Sequence, residues 1–418
     1  MTTEGADEVD PSYGALFRVP NFGRYALATI LGRGGESMWT VAMVLFVLER
    51  FHSPTLAGLT FFLGVGPGLL LSPLAGALLD RHGRVRLIVL DYLVAGASLV
   101  AIVVAATTGH LSQPLLVVLV VLGGTTGMLS AAGIRSLVPV ILPPRLWDRG
   151  NAADSMGYTI TSIAGPALAG AIAGAISPEA ALLVGAGVFV TGALSLLGIR
   201  EPRNRDPDAE HILRSAVSAV RYVVRNVTLR GIAVTMTVLN LGAGILIVAM
   251  PVMVLDRFHG SDAQVGMMFA LQGVAGVIAS LVYGRSPSLG RERRNILAAL
   301  WVMALGTLVM AVSPSLWVAA VGVFVIGFAV GPLDISLFSL RQRSVDLRWI
   351  GRAIAVSMSL NFVGTPVGSA LSGPLVHWSL TWALVISALM TAAAAVLGIR
   401  MIPRPATQGV PAPGSLAS

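Results

Sequence analysis

Twelve stretches of this chain are apolar over the length that crosses a bilayer, and a chain built that way has few folds open to it. They run 22–48, 55–79, 87–108, 114–134, 153–176, 179–199, 231–255, 262–284, 296–312, 316–339, 353–376 and 379–399. A span needs roughly 20 residues, and the ninth stretch is short. Buried helices of a soluble protein keep a polar face, and most of these stretches have none. Composition agrees: 55% of the residues are hydrophobic and 11% charged, against about 25% charged in a soluble domain. The expected fold class is therefore an all-α membrane protein with twelve transmembrane helices.

Six spans precede the middle of the chain and six follow it, and the halves echo one another. Residues 47–52 read VLERFH and residues 254–259 read VLDRFH. LGIR at 197–200 returns at 397–400, each time closing an apolar run. The expected units are a segment 1–21, a six-helix bundle 22–199, a linker 200–230, a second six-helix bundle 231–399 and a tail 400–418. The linker's AEHILRSAVSAVRYVVRNV places Ile212, Ala216, Val220, Val223 and Val224 on one helical face, as an interfacial amphipathic helix would. The tail is rich in Pro, Gly, Ala and Ser and is expected to be disordered.

Every basic residue is arginine, and the arginines are unevenly placed. Loops after spans 2, 4, 6, 8 and 10 hold Arg81, Arg84 and Arg86; Arg135, Arg145 and Arg149; Arg200 to Arg230; Arg285 to Arg294; and Arg341 to Arg352. The termini add Arg18, Arg24, Arg400 and Arg404, whereas the opposite loops hold Arg50 and Arg257. Arginine-rich loops are cytoplasmic, so both termini are expected inside, in a cell membrane. No cleavable signal is read before Phe22. A pI of 10.8 would suggest nucleic acid if the charge formed one basic domain. It does not, so no nucleic-acid partner is expected.

The loop between spans 2 and 3 reads Gly76-Ala-Leu-Leu-Asp80-Arg81-His-Gly83-Arg84-Val-Arg86. Glycines there permit a tight turn, and a carboxylate favours a helix N-terminus, here one expected to be that of span 11. The second half repeats the loop with Pro287 at the place of Asp80. Span 5 carries Gly165, Pro166 and Gly170, and span 11 echoes it with Gly364, Pro366 and Gly368. Small residues let backbones approach and proline kinks a helix.

These residues carry a resemblance to the major facilitator superfamily. The span 2–3 loop is similar to its signature, with Val85 in place of one basic residue, and Gly165-Pro166 with Gly170 resembles the antiporter signature. Phe17 to Arg24, Gly331 to Asp334 and Gly351-Arg352 look like the drug:proton antiporter branch that includes macrolide and enterobactin exporters. The resemblance implies two six-helix halves about an axis normal to the membrane, with the substrate site between them. It also implies that Gly76, Asp80, Arg81, Gly83 and Arg84 form a conformational latch, and that spans 1, 4, 7 and 10 line the cavity.

Polar residues do concentrate in those four spans. They include Arg33, Glu36 and Thr40; Thr125, Thr126 and Ser130; Thr235, Thr237 and Asn240; and Asp334 and Ser336. Spans 3, 6, 9 and 12 are nearly featureless apart from Asp91. An ionisable group within a span is a functional candidate. Arg33 and Glu36 share a helix face, about 16 to 21 Å from Phe22. Either Glu36 is a proton site with Arg33 as its switchable partner, or the two form a static pair. Asp334 is expected to pair with Arg341 or Arg135. Glu36, Arg33, Asp334 and Asn240 are the candidate coupling and cavity residues, and Trp39, Tyr158 and Phe62 are candidate apolar lining.

A membrane enzyme or lipid-handling protein is the less favoured class, and against an enzyme the sequence has no HExxH, no phosphate-binding loop, no nucleophile elbow and no cysteine. No metal and no cofactor are expected. The reading that remains is a monomeric secondary transporter with a small-molecule substrate and protons as partners in the lipid bilayer. Proton-coupled export of a hydrophobic or amphipathic compound comes first, uptake by symport second.

Overall fold

The computed structural model describes residues 14–143, 146–199, 201, 218, 220–285, 290–345 and 350–404. A short turn of helix, α1 (Gly14–Phe17), leads into α2 (Phe22–Phe51), α3 (Pro54–His82) and α4 (Arg84–Thr107). Then come α5 (Gln113–Thr125), α6 (Gly127–Ile141), α7 (Trp147–Ala175) and α8 (Pro178–Leu196). The second half holds α9 (Val227–Val252), α10 (Asp262–Tyr283), α11 (Glu292–Val312) and α12 (Leu316–Arg343). It closes with α13 (Ile350–Phe362), α14 (Gly364–Trp378) and α15 (Leu380–Met401). Among the described residues there is no strand, and ten candidate spans are long and apolar enough to cross a membrane. The expected amphipathic helix of the linker falls largely, and the end of the tail wholly, outside the described residues.

Two spans differ from continuous helices. The fourth is α5 and α6, which part at Thr126, and the eleventh is α13 and α14, which part at Val363. Pro366 has no amide hydrogen to give back to the turn before it, which accounts for the second break. The fifth span begins at Trp147 rather than 153. Its charged first turns mask the helix in the sequence, and that shift matters below.

Helices at the arginine-poor end begin with serine caps. Ser53, Ser112, Ser177, Ser315 and Ser379 each accept a hydrogen bond from the amide three residues on, satisfying a donor the helix leaves open. The repeated hexapeptide has a structural cause at this same end. Arg50 donates to the carbonyl of Ala106 at 3.2 Å, and Arg257 to that of Ala311 at 3.0 Å. Each arginine satisfies a terminal carbonyl of the third span in its half. His52 and His259, both at φ 51°, turn the chain in the left-handed region just beyond.

Helices α2 to α8 pack mainly on one another, as do α9 to α15, and the halves meet along α3 with α14 and α7 with α10. The described glycine approaches between halves cluster toward the arginine-poor end. A Cβ on Gly58 would overlap the carbonyl oxygen of Ser369, one on Gly373 the backbone of Thr55, and one on Gly170 the backbone of Gly266. Ser369 Oγ also donates to Gly58 O at 3.3 Å. Backbone-to-backbone contact of this kind requires the missing side chains. Gly58→Val is therefore expected to open this end. Labelling of Ser369→Cys by a thiol reagent should rise about tenfold, the shift that about 1.4 kcal/mol of overpacking supplies. Unchanged labelling would show that glycine is not what closes it.

Candidate functional site

Most of the circumference of helix α2 is taken up by packing. Gly32 lies against the Tyr92 hydroxyl, Gly35 against the Phe189 ring, and Gly34 near Thr161 of α7. Ser37 meets Gly165 of α7, so that signature glycine serves contact within its own half. Trp39 packs at a tilt against Phe61 with centroids 5.7 Å apart and lies against Gly64, which makes it a packing residue. The face left over carries Arg33, Glu36 and Thr40.

Arg33 does not form the expected pair with Glu36. Its guanidinium binds Asp154 of α7, Nη2 to Oδ2 at 2.8 Å and Nη1 to the Asp154 carbonyl at 2.7 Å. Both side chains are largely buried, at 13% and 15% exposed, and the Arg33 guanidinium sits 5.4 Å from the Tyr158 ring centroid. Asp154 is hidden in the sequence by its place at the apparent start of span 5, where an acid reads as a loop residue. A mid-membrane arginine needing a counterion is the signal that points to it.

Glu36 is thereby released. Its side chain is exposed, and among the described residues no ion pair includes it. Tyr158, also exposed, lies within electrostatic range of Glu36, Asp334, Arg33 and Arg135. A carboxylate from each half, Glu36 and Asp334, thus lies within electrostatic range of the same tyrosine, as do Arg33 and Arg135.

The second half contributes a polar chain centred on the break in span 11. Thr237 Oγ1 donates to the freed carbonyl of Leu360 at 3.0 Å, and Asn240 Nδ2 to that of Asn361 at 2.9 Å. Asn240, expected in the cavity, instead caps a broken helix. The Asn361 amide in turn accepts from Arg341 Nη2 and donates to the Ser357 carbonyl at 2.9 Å. Arg341 is 1% exposed and lies over the Phe338 ring at 5.9 Å. Asp334 is exposed on the same helix. It interacts electrostatically with Arg341, yet among the described residues it makes no ion pair with Arg341 or Arg135. The expected pairing is corrected to a longer-range one.

The signature loop is held from the start of the linker. Gly83, at φ 92°, ends α3 and starts α4. Glu201 accepts from the Arg84 amide at 2.7 Å, the Val85 amide at 3.3 Å and Arg84 Nη1 at 3.0 Å. A carboxylate on open amides at a helix N-terminus is favourable, although in the sequence Glu201 reads as part of a turn. Arg81 is exposed, while the side chain of Asp80 and the surroundings of Gly76 lie outside the described residues. In the second copy, Arg293 donates to the carbonyls of Ile402 and Ile399 at 2.8 and 2.7 Å, and Arg343 pairs with Glu292. Gly170 and the Pro166 carbonyl approach Gly266 of the other half, and Pro366 is buried beside the break.

Comparisons with known proteins place this arrangement. A curated family described as transmembrane secretion effector matches residues 12–410. An uncharacterized MFS-type transporter of Sinorhizobium fredii is 35% identical over 94% of this chain and 97% of its own. The multidrug efflux pump Tap of Mycolicibacterium fortuitum is 24% identical, covering 83% of this chain and 87% of its own. The crystal structure of the nucleoside transporter NupG superposes with a TM-score of 0.71 at 13% identity, over 90% of this chain and 98% of that one. The chain belongs to the transmembrane secretion effector family of major facilitator transporters, and it is a transporter rather than an enzyme.

Proposed function

We propose that this transporter is a proton-coupled exporter of a hydrophobic or amphipathic small molecule, a drug, siderophore or related metabolite, working by alternating access. The observation that carries the reading is Glu36: an exposed carboxylate on the first span that makes no ion pair among the described residues, the arginine beside it being bound to Asp154. A carboxylate held in an ion pair keeps its charge, whereas one left without a partner at that depth can exchange a proton as the cavity opens to each side. Similarity to an efflux pump supports export, and uptake by symport stays the second reading. The decisive experiment uses purified protein in liposomes with an imposed proton gradient and a panel of lipophilic dyes and antibiotics. Accumulation opposite to proton flow supports export. Accumulation along it supports symport, and indifference to the gradient defeats both.

The arginine-rich end is read as cytoplasmic, with both termini inside a cell membrane and the chain acting as a monomer. The closed end then faces outward, and the cavity admits cargo from the cytoplasm. The native chain has no cysteine, so single cysteines report cleanly. An impermeant thiol reagent on intact cells is expected to label His110→Cys and to spare Arg404→Cys. Labelling of the latter alone would invert the topology.

A further inference from the structure

Asp91 lies in the third span, the place where a cavity reading looks least. It stands seven residues beyond the start of α4 at Arg84, about 10 Å into the helix. It is 3% exposed, and its Oδ1 has no hydrogen-bond partner. What faces it is uncharged on one side and anionic on the other. The hydroxyls of Ser130 and Thr126 and the backbone amide of Ser130, at the break between α5 and α6, are its polar neighbours. The Thr126 hydroxyl is itself buried with no partner of its own, while that of Ser130 donates to the Gly127 carbonyl at 3.1 Å. On α2, Glu36 lies within electrostatic range of Asp91. Neighbouring Tyr92 donates to the Ala28 carbonyl at 3.3 Å and packs at a tilt against the ring of Phe189 of α8. Among the described residues no ion pair includes Asp91: Arg33 is bound to Asp154 and Arg84 to Glu201, while Arg135 of α6, the helix that carries Ser130, lies within electrostatic range of Glu36.

A carboxylate buried without a cation carries an unmet desolvation cost that it escapes by staying neutral. We propose that Asp91 holds a proton in this state and, together with Glu36, makes the first half a two-carboxylate proton site. As an acid it donates one hydrogen bond and accepts others. Two carboxyl groups in electrostatic contact do not ionise independently. Charging Glu36 in the cavity therefore favours keeping the proton on Asp91, and neutralising Glu36 favours releasing it. The broken fourth span brings the paired hydroxyls to this buried acid, and the first span brings the carboxylate that meets water.

The inference deepens the proton-coupled reading of the same cavity, and its test needs neither a substrate nor a direction of transport. Protons bound by purified protein in detergent are counted by titration with a pH indicator, wild type against Asp91→Asn. The variant is expected to lack one titrating proton per chain and to melt with the wild type, because an amide replaces an acid that was already neutral. An unchanged proton count overturns the proposal. So does a wild-type melting temperature raised by sodium chloride over choline chloride and not raised in Asp91→Asn, which would make the site a cation site. If Asp91→Asn does not fold, Ser130→Ala is measured instead, and the pH at which one proton leaves is expected to move; an unmoved curve also overturns it. A proton missing from Asp91→Asn alongside wild-type transport indifferent to the gradient would remove the antiport reading and leave this one standing.

Discussion

Asp154→Asn is expected to cost the protein about 3 kcal/mol, because it leaves Arg33 buried beside a neutral amide. The carbonyl of residue 154 still accepts from Arg33, which keeps the cost at the lower end for a broken buried pair. Both side chains are less than a sixth exposed, so water does little to screen the loss. In detergent the variant should melt well below the wild type and give less protein. Arg33→Gln with Asp154→Asn should recover most of the difference, since neither charge is then stranded. An Asp154→Asn protein that melts with the wild type would mean that the pair contributes nothing to the first half.

Glu36→Gln is expected to do the reverse, leaving stability alone and removing coupling. An amide does not titrate, so gradient-driven accumulation of a transported dye should fall to the level seen without a gradient. Dye exchange at equal pH should persist, because glutamine keeps the size and hydrogen-bonding capacity of the side chain. Melting should match the wild type, since among the described residues Glu36 has no ion pair to lose. Equal loss of exchange and of stability would return Glu36 to a structural role. Retained accumulation would eliminate it as a proton carrier and move attention to Asp334.

Much of the fold is legible in the sequence because apolar length is a strong signal and the bilayer enforces it. The hexapeptide echo marks equivalent places in the halves, but its structural cause, an arginine on the third span's last carbonyls, needs coordinates. The site is legible as a set of residues and not as a set of pairs. Arg33 and Glu36 sit three apart, which puts them on one face. Sequence spacing cannot report that Asp154, 121 positions further on, reaches Arg33 first. Asn240 has the composition of a cavity residue, but a broken backbone across from it takes the amide. Glu201 is misplaced for the same reason, since helix N-termini become partners only once their neighbours are known.

The break at Val363 separates two tasks within one span. Its α14 segment packs on α9 at Leu241 and Gly244 and also meets the other half at Gly58 and Thr55, while its α13 segment touches α9 through Thr237 and Asn240. A straight rod in that position would be a lever, its far end moving whenever its near end did. A jointed one transmits displacement but not orientation, so the closed end can stay shut while the opposite end bends toward a cargo. Stiffening the joint would then slow the cycle without touching either binding or the seal.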